Sequence, residues 1–147
     1  MDNQGKKHRQ ETGSDCVCFN LRRAARLVTQ RYEHALKKCG IKATQYPVLL
    51  TACKYDGILL TKMARWLGMD RTSLTRNLNI MVARGLVIVK MGEDKRERRI
   101  SITPKGMEVL KEAIAIWQKV QTEIVSGLGR EKWSSLLSGL REVTKTS

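Results

Sequence analysis

Arg71, Thr72, Ser73, Thr75, Arg76 and Asn79 fall within one short stretch of the chain. At helical spacing all six lie off the apolar stripe formed by Leu74, Leu78 and Met81. Short hydroxyls let a helix sit deep in a major groove and bond phosphates or bases. An arginine there can read guanine through two parallel hydrogen bonds. A second cluster, Asp94-Lys95-Arg96-Glu97-Arg98-Arg99, has the composition of a charged hairpin tip. Arg96, Arg98 and Arg99 could reach a neighbouring minor groove, where a narrow A·T tract concentrates negative potential. The acidic members argue against a plain polybasic patch, so Asp94 is expected to pair with a nearby arginine and shape the loop. Lys62, on a short helix just upstream, adds a sequence-independent phosphate contact. Asp70 reads as a helix cap, since a carboxylate facing phosphate would be repelled.

Cys16-Val17-Cys18 is the second reactive feature. Cys18 lies on the stripe of a long first helix, and Cys16 would point roughly 200° away if that helix reached it. Two thiols so placed would not readily join each other. They could meet a partner chain across a two-fold axis, as an intermolecular disulfide or a shared soft-metal site. Arg22, Arg23 and the helix N-terminus would favour a thiolate. The alternative is that Cys18 is a small core residue and Cys16 an incidental exposed thiol. Cys39 and Cys53 sit on apolar stripes and read as inert packing.

Catalytic patterns are missing. The chain has no phosphate-cradling glycine loop, no HExxH and no supported Ser/His/Asp set. It has no zinc-finger spacing, and His8 and His34 have no evident co-ligands. No enzyme activity, cofactor or resident metal is expected.

Charge narrows the partner. The 147 residues hold 28 Lys and Arg against 14 Asp and Glu, a net charge of +14. Such an excess repels itself unless polyanions are near. With 41% hydrophobic residues the chain can build a core, and its length suits one domain. No run approaches the roughly 18 apolar residues of a membrane span, and the N-terminus lacks a signal-type apolar region. A cytoplasmic protein with reduced thiols and no membrane partner is expected. Eleven basic and four acidic residues lie between Lys62 and Lys105. Half of the net charge therefore falls in under a third of the chain, as a duplex-binding surface requires. The bland alternative is a merely solvated face.

These residues need elements to position them. Residues 1–14 lack periodicity and read as a flexible tail, with 15–147 as a single domain. Cys18, Leu21, Ala25, Val28, Tyr32, Ala35 and Cys39 predict a long amphipathic helix closed by Gly40. Thr44 is expected to cap a second helix, with Pro47 in its first turns and Tyr46, Leu49, Leu50 and Cys53 inward. Thr61 should cap a short helix to Leu67, with Met63, Ala64 and Leu67 packed inward. Asp70 should cap the next, which ends at Gly85. Leu86 to Met91 and Arg99 to Thr103 predict a hairpin around Gly92-Glu93-Asp94-Lys95. Thr103-Pro104 starts a long helix striped by Met107, Leu110, Ile114, Trp117, Gln121 and Ile124, broken at Gly127 and Gly129. A last helix carries Trp133, Leu136, Leu137, Leu140 and Val143. The expected fold is mainly α with a small β-hairpin: a winged helix-turn-helix over about 44–104, flanked by helices at about 16–39 and 105–145. Those flanking helices carry more apolar surface than the small winged helix needs, which fits dimerisation, with Trp117 and Trp133 as core or interface anchors.

The run Leu67-Gly68-Met69-Asp70-Arg71-Thr72-Ser73-Leu74-Thr75-Arg76-Asn77-Leu78, then Arg84-Gly85-Leu86-Val87, resembles the MarR family of bacterial transcriptional regulators. So do Asp94-Lys95-Arg96 and Ile102-Thr103-Pro104-Lys105-Gly106. The likeness covers roughly residues 16–145. It implies a homodimer whose first and last two helices interlock, presenting two winged-helix lobes to double-stranded DNA with an inverted repeat. It implies a repressor released by a small ligand or by cysteine oxidation. By position, the recognition helix is 71–83, Arg96 is the wing-tip arginine, and Arg98 is its neighbour, bonded to Asp94. The family's ligand cleft lies between scaffold and DNA-binding lobe, where Tyr32, Trp66 and Tyr46 are candidates for lining or for core. A sequence-independent architectural protein binding DNA or RNA through the same surface is the competing reading.

Overall fold

A computed structural model describes residues 15–145. The expected tail, 1–14, lies outside the described residues. Helix α1 (Val17–Leu36) runs into a 3-10 turn (Lys37–Cys39) that ends at Gly40, whose φ of 69° is left-handed. Then come α2 (Tyr46–Lys54), β1 (Ile58–Leu59), α3 (Leu60–Leu67) and α4 (Arg71–Ala83). The hairpin is β2 (Val87–Met91) and β3 (Arg98–Ile102), followed by α5 (Pro104–Leu128) and α6 (Arg130–Lys145). This is the mainly helical, winged helix-turn-helix architecture that the sequence pattern predicts.

The three strands form an antiparallel sheet in the order β1-β3-β2. Val87 pairs with Ile102 and Met91 with Arg98, while Ile58 pairs with Ile100. Ile100, central in the sheet, is fully buried with Leu74, Leu78 and Met81 of α4, Met63 of α3, Leu49 of α2 and Leu110 of α5. The core therefore sits beneath the helix-turn-helix. Leu36 at the end of α1 reaches it, whereas α6 buries no residue and α1 buries none before Leu36.

Local chemistry explains the joints. Gly68 (φ 62°) ends α3, and its N–H bonds the last carbonyls of that helix. Thr103 caps α5: its hydroxyl oxygen accepts from the Gly106 N–H at 2.9 Å and donates to the Gly85 carbonyl at 2.6 Å. One side chain thus starts α5 and holds it against the end of the α4 segment.

Several expectations are corrected. Thr44 does not cap α2. The turn before α2 is held instead by Glu33, whose Oε1 accepts from the Ala43 N–H, and by Gln45, whose Oε1 accepts from the Lys42 N–H. Leu50 points outward, and Val48, Thr51 and Ala52 take the buried positions; α2 begins at Tyr46, one residue later than a Thr44 cap would start it. Thr61 lies inside α3, which Leu59 begins without a side-chain cap, because the two-residue strand β1 delivers the chain directly into that helix. Gly127 is accommodated within α5, and only Gly129 (φ 89°) stops it.

Candidate nucleic-acid interface

Helix α4 is positioned from both ends. At its start, Asp70 accepts from the Ser73 N–H at 2.8 Å and from the Ser73 hydroxyl at 2.6 Å. These bonds stabilise the ionised carboxylate and hold its pKa below the usual value. At its end, Lys105 Nζ donates to the Arg84 carbonyl at 2.9 Å. Leu74, Leu78 and Met81 fix the helix rotation by full burial.

That rotation leaves Arg71, Thr72, Thr75, Arg76 and Asn79 lining one open concavity on the protein surface. Ser73 is exposed as well, and its hydroxyl donates its proton to Asp70. Asn77 was not among the expected site residues. Its Nδ2 donates to the Thr44 carbonyl at 3.2 Å, across 33 positions of sequence. Nothing in a local pattern could have signalled that bond.

The wing has a different internal wiring from the one expected. Asp94 does not pair with Arg98. Its Oδ1 accepts from the backbone N–H of Arg96 at 2.9 Å, forming a local turn. Arg98 instead donates to the Lys95 and Glu97 carbonyls, at 2.8 and 3.1 Å. The physical reason is reach, since the tight turn between Gly92 and Glu97 brings backbone carbonyls nearer to Arg98 than the Asp94 carboxylate. Arg99 bonds Glu97 at 3.3 Å and the Gly57 carbonyl at 3.2 Å, tying the wing to the turn before β1. Lys95 and Arg96 are exposed at the tip.

The aromatic candidates separate. Tyr32 and Tyr46 stack on Trp117, with ring centroids 6.3 and 5.7 Å away. These three line a cavity of about 360 Å³ with Thr29, Leu36 and Ala43. The Tyr32 hydroxyl donates to Gln121 Oε1 at 2.7 Å, and burial raises the pKa of both tyrosines. Trp66 is elsewhere, in a cavity with Tyr55, Lys62 and Arg99. Trp66, on α3, is thus parted from Tyr32 and Tyr46, which both pack on Trp117 of α5.

Both Cys16 and Cys18 are exposed. Cys16 precedes α1 as its cap, and its sulfur accepts weakly from the Phe19 N–H at 3.5 Å. Cys18 is not a core residue of the single chain, so the core reading of that thiol is corrected. Cys39 donates its S–H to the Leu36 carbonyl at 3.2 Å, and burial raises its pKa, as suits a packing thiol. Among the described residues no three His, Cys, Asp or Glu side chains converge as a metal site. No helix among them is long and apolar enough to cross a membrane.

No family model matches the chain. Solved structures do. The chain is similar to the M. tuberculosis transcriptional regulator MosR in complex with DNA, at 34% identity and a TM-score of 0.80, over 89% of this chain and 97% of that one. It is similar to the transcriptional repressor CouR bound to a 23-mer DNA duplex, at 26% identity and a TM-score of 0.80, over 89% and 94% of the two chains. A MarR-family transcriptional regulator from a Rhodococcus species shares the fold at 22% identity and a TM-score of 0.79, over 91% and 96%.

Proposed function

The chain belongs to the MarR family of transcriptional regulators, and from that premise we propose that it is a homodimeric repressor binding an inverted repeat in double-stranded DNA. The observation that carries this reading is the outer face of α4. Arg71, Thr72, Thr75, Arg76 and Asn79 share one surface concavity on a helix held at both ends. Arg76 and Asn79 are assigned to base edges, and Arg71 and the threonines to phosphates or bases. Arg96 at the wing tip is assigned to the minor groove. DNA-bound MosR and CouR, both similar in fold and sequence, support the same ligand here.

The dimer rests on what one chain leaves uncovered. Val17, Phe19, Leu27 and Val28 of α1 and Leu136 and Val143 of α6 are exposed. Leaving so much apolar surface in water is unfavourable by ~25 cal/mol per Å², and a second copy offers the matching helices. Two signals are assigned to separate places. A small organic effector is assigned to the Tyr32–Tyr46–Trp117 cavity. It must bind two lobe spacings with different affinity, because equal affinity shifts nothing. Cys16 and Cys18 are assigned as thiol sensors: two thiols on partner chains lose two protons and two electrons to an added oxidant and form a disulfide.

Selection of bound fragments from genomic DNA, followed by competition at physiological salt, tests the reading. A specific regulator should prefer one inverted repeat by roughly 10³-fold or more, bound as two chains per site. Flat affinity across sequences would favour an architectural role. On a non-reducing gel, diamide should give a covalent dimer that Cys16→Ser abolishes; only monomer would remove the thiol switch.

A further inference from the structure

Arg99 and Ser101 alternate along β3 with the buried Ile100 and so share the opposite face of the sheet. Between them they hold both backbone polar groups of Gly57, in the turn before β1. Arg99 Nη1 donates to the Gly57 carbonyl at 3.2 Å, and the Gly57 N–H donates to the Ser101 hydroxyl oxygen at 3.1 Å. The other outer nitrogen, Arg99 Nη2, reaches the Glu97 carboxylate at 3.3 Å. Glu97 also closes the wing tip, where its backbone carbonyl accepts from the Gly92 N–H at 3.2 Å. Its side chain lies over Gly92: a Cβ there would come 2.8 Å from Glu97 Cβ and 3.3 Å from Arg99 Nε. An exposed ion pair contributes little by itself, but this guanidinium joins two separate backbone segments. Strand β1 is only two residues long, so its ladder with β3 is short and the side-chain clamp extends it.

From this arrangement we infer that Arg99 is a positioning residue and not a DNA contact: it fixes the wing tip against the turn before β1 and thereby places Arg96 for the minor groove. The inference rests on the DNA-binding reading. Both outer nitrogens of Arg99 are bonded within the protein, so the fork that would grip a phosphate or a guanine is already in use. Arg96 is the reverse case. Its backbone N–H is bonded to Asp94, while its side chain makes no hydrogen bond or ion pair among the described residues. One arginine shapes the wing and the other is left for the ligand. Holding the tip matters, because a guanidinium entering a narrow groove from a mobile loop must lose that freedom on binding. Lysine is no substitute at position 99. Its ammonium is a point donor on a flexible stem, without the planar fork that bridges a carbonyl and a carboxylate.

The test uses the full-length protein and an operator duplex recovered by selection from genomic DNA. Arg99→Lys keeps the charge and breaks the fork, and it should weaken operator binding by about fivefold or more. Glu97→Asp keeps its charge but withdraws the carboxylate, and it should act in the same direction. In an Arg96→Ala background, Arg99→Lys should change affinity by less than about twofold. Neither Glu97 nor Arg99 is a core residue, and a thermal melt confirms folding. A phosphate contact at Arg99 would behave differently: Arg99→Gln would weaken operator and random DNA alike, and Arg99→Lys would bind like the parent. That result overturns the inference while the operator preference stands. So does an equal loss from Arg99→Lys with and without Arg96. A parent protein that prefers no duplex over random DNA would instead overturn the DNA-binding reading, and this inference with it.

Discussion

Asn77, on the recognition helix α4, is bonded to the backbone of Thr44, in the turn that joins the α1 segment to α2. The adjacent residue of that turn, Ala43, is bonded to Glu33 of α1 and also lines the Tyr32–Tyr46–Trp117 cavity. A short physical path therefore runs from cavity wall to recognition helix, through two side-chain hydrogen bonds and one three-residue turn. A ligand that displaces Ala43 is expected to pull on α4 along this path.

Asn77→Ala should leave the fold intact and loosen α4. A hydrogen bond of this kind contributes about 0.5–1.5 kcal/mol, so operator affinity is expected to fall by up to about tenfold. Titration of operator DNA alongside a thermal melt checks it. Unchanged affinity would make the bond incidental to DNA binding.

Arg76→Ala should cost about 1–3 kcal/mol on the operator and relax preference at one base pair. The measurement is competition between operator and single-base variants. Equal losses on operator and random DNA would assign Arg76 to phosphate instead.

Gly106→Ala and Gly127→Ala should act in opposite directions, although both lie in α5. A Cβ on Gly106 would collide with the Leu86 carbonyl oxygen and lie 2.9 Å from Ile102 Cγ1. The helix would have to move off the wing base, at a cost of about 1–3 kcal/mol or more. A Cβ on Gly127 meets nothing within 4 Å, and alanine there should stabilise the helix by about 0.5–1 kcal/mol. Denaturant midpoints of the two variants decide the matter.

Asp70→Ala should lower the melting temperature at neutral pH by removing the α4 cap. The carboxyl's folded pKa lies below its ordinary value of 3.8. Its contribution is thus present above that value and is lost as pH falls through the lowered folded pKa. The gap in melting temperature between parent and variant should therefore close in acid. A gap that widens on acidification would contradict the assignment.

Much of this architecture is written in local pattern. Leu74, Leu78 and Met81 announce the buried face of α4, and so by subtraction its outer face. Asp70, Gly68 and Thr103 announce helix ends, because capping and left-handed backbone are properties of a few adjacent residues. Strand β1 was not legible, since two residues carry no period and their partner, β3, lies some forty positions on. The Asp94–Arg98 pairing was misread because charge complementarity in sequence says nothing about which backbone carbonyls a turn brings closer.

The sequence by itself determined the order of the helices and the hairpin, the core face of the recognition helix and the concentration of positive charge over the helix-turn-helix and wing. Each depends on spacings of a few residues, within the reach of 3.6-fold or two-fold periodicity. Tertiary structure alone decided that Trp66 parts from Tyr32 and Tyr46 and that Arg99 braces the wing. It also decided that Asn77 holds the turn beside the aromatic cavity. Those are contacts between segments distant in the chain, set by how packed elements meet in space.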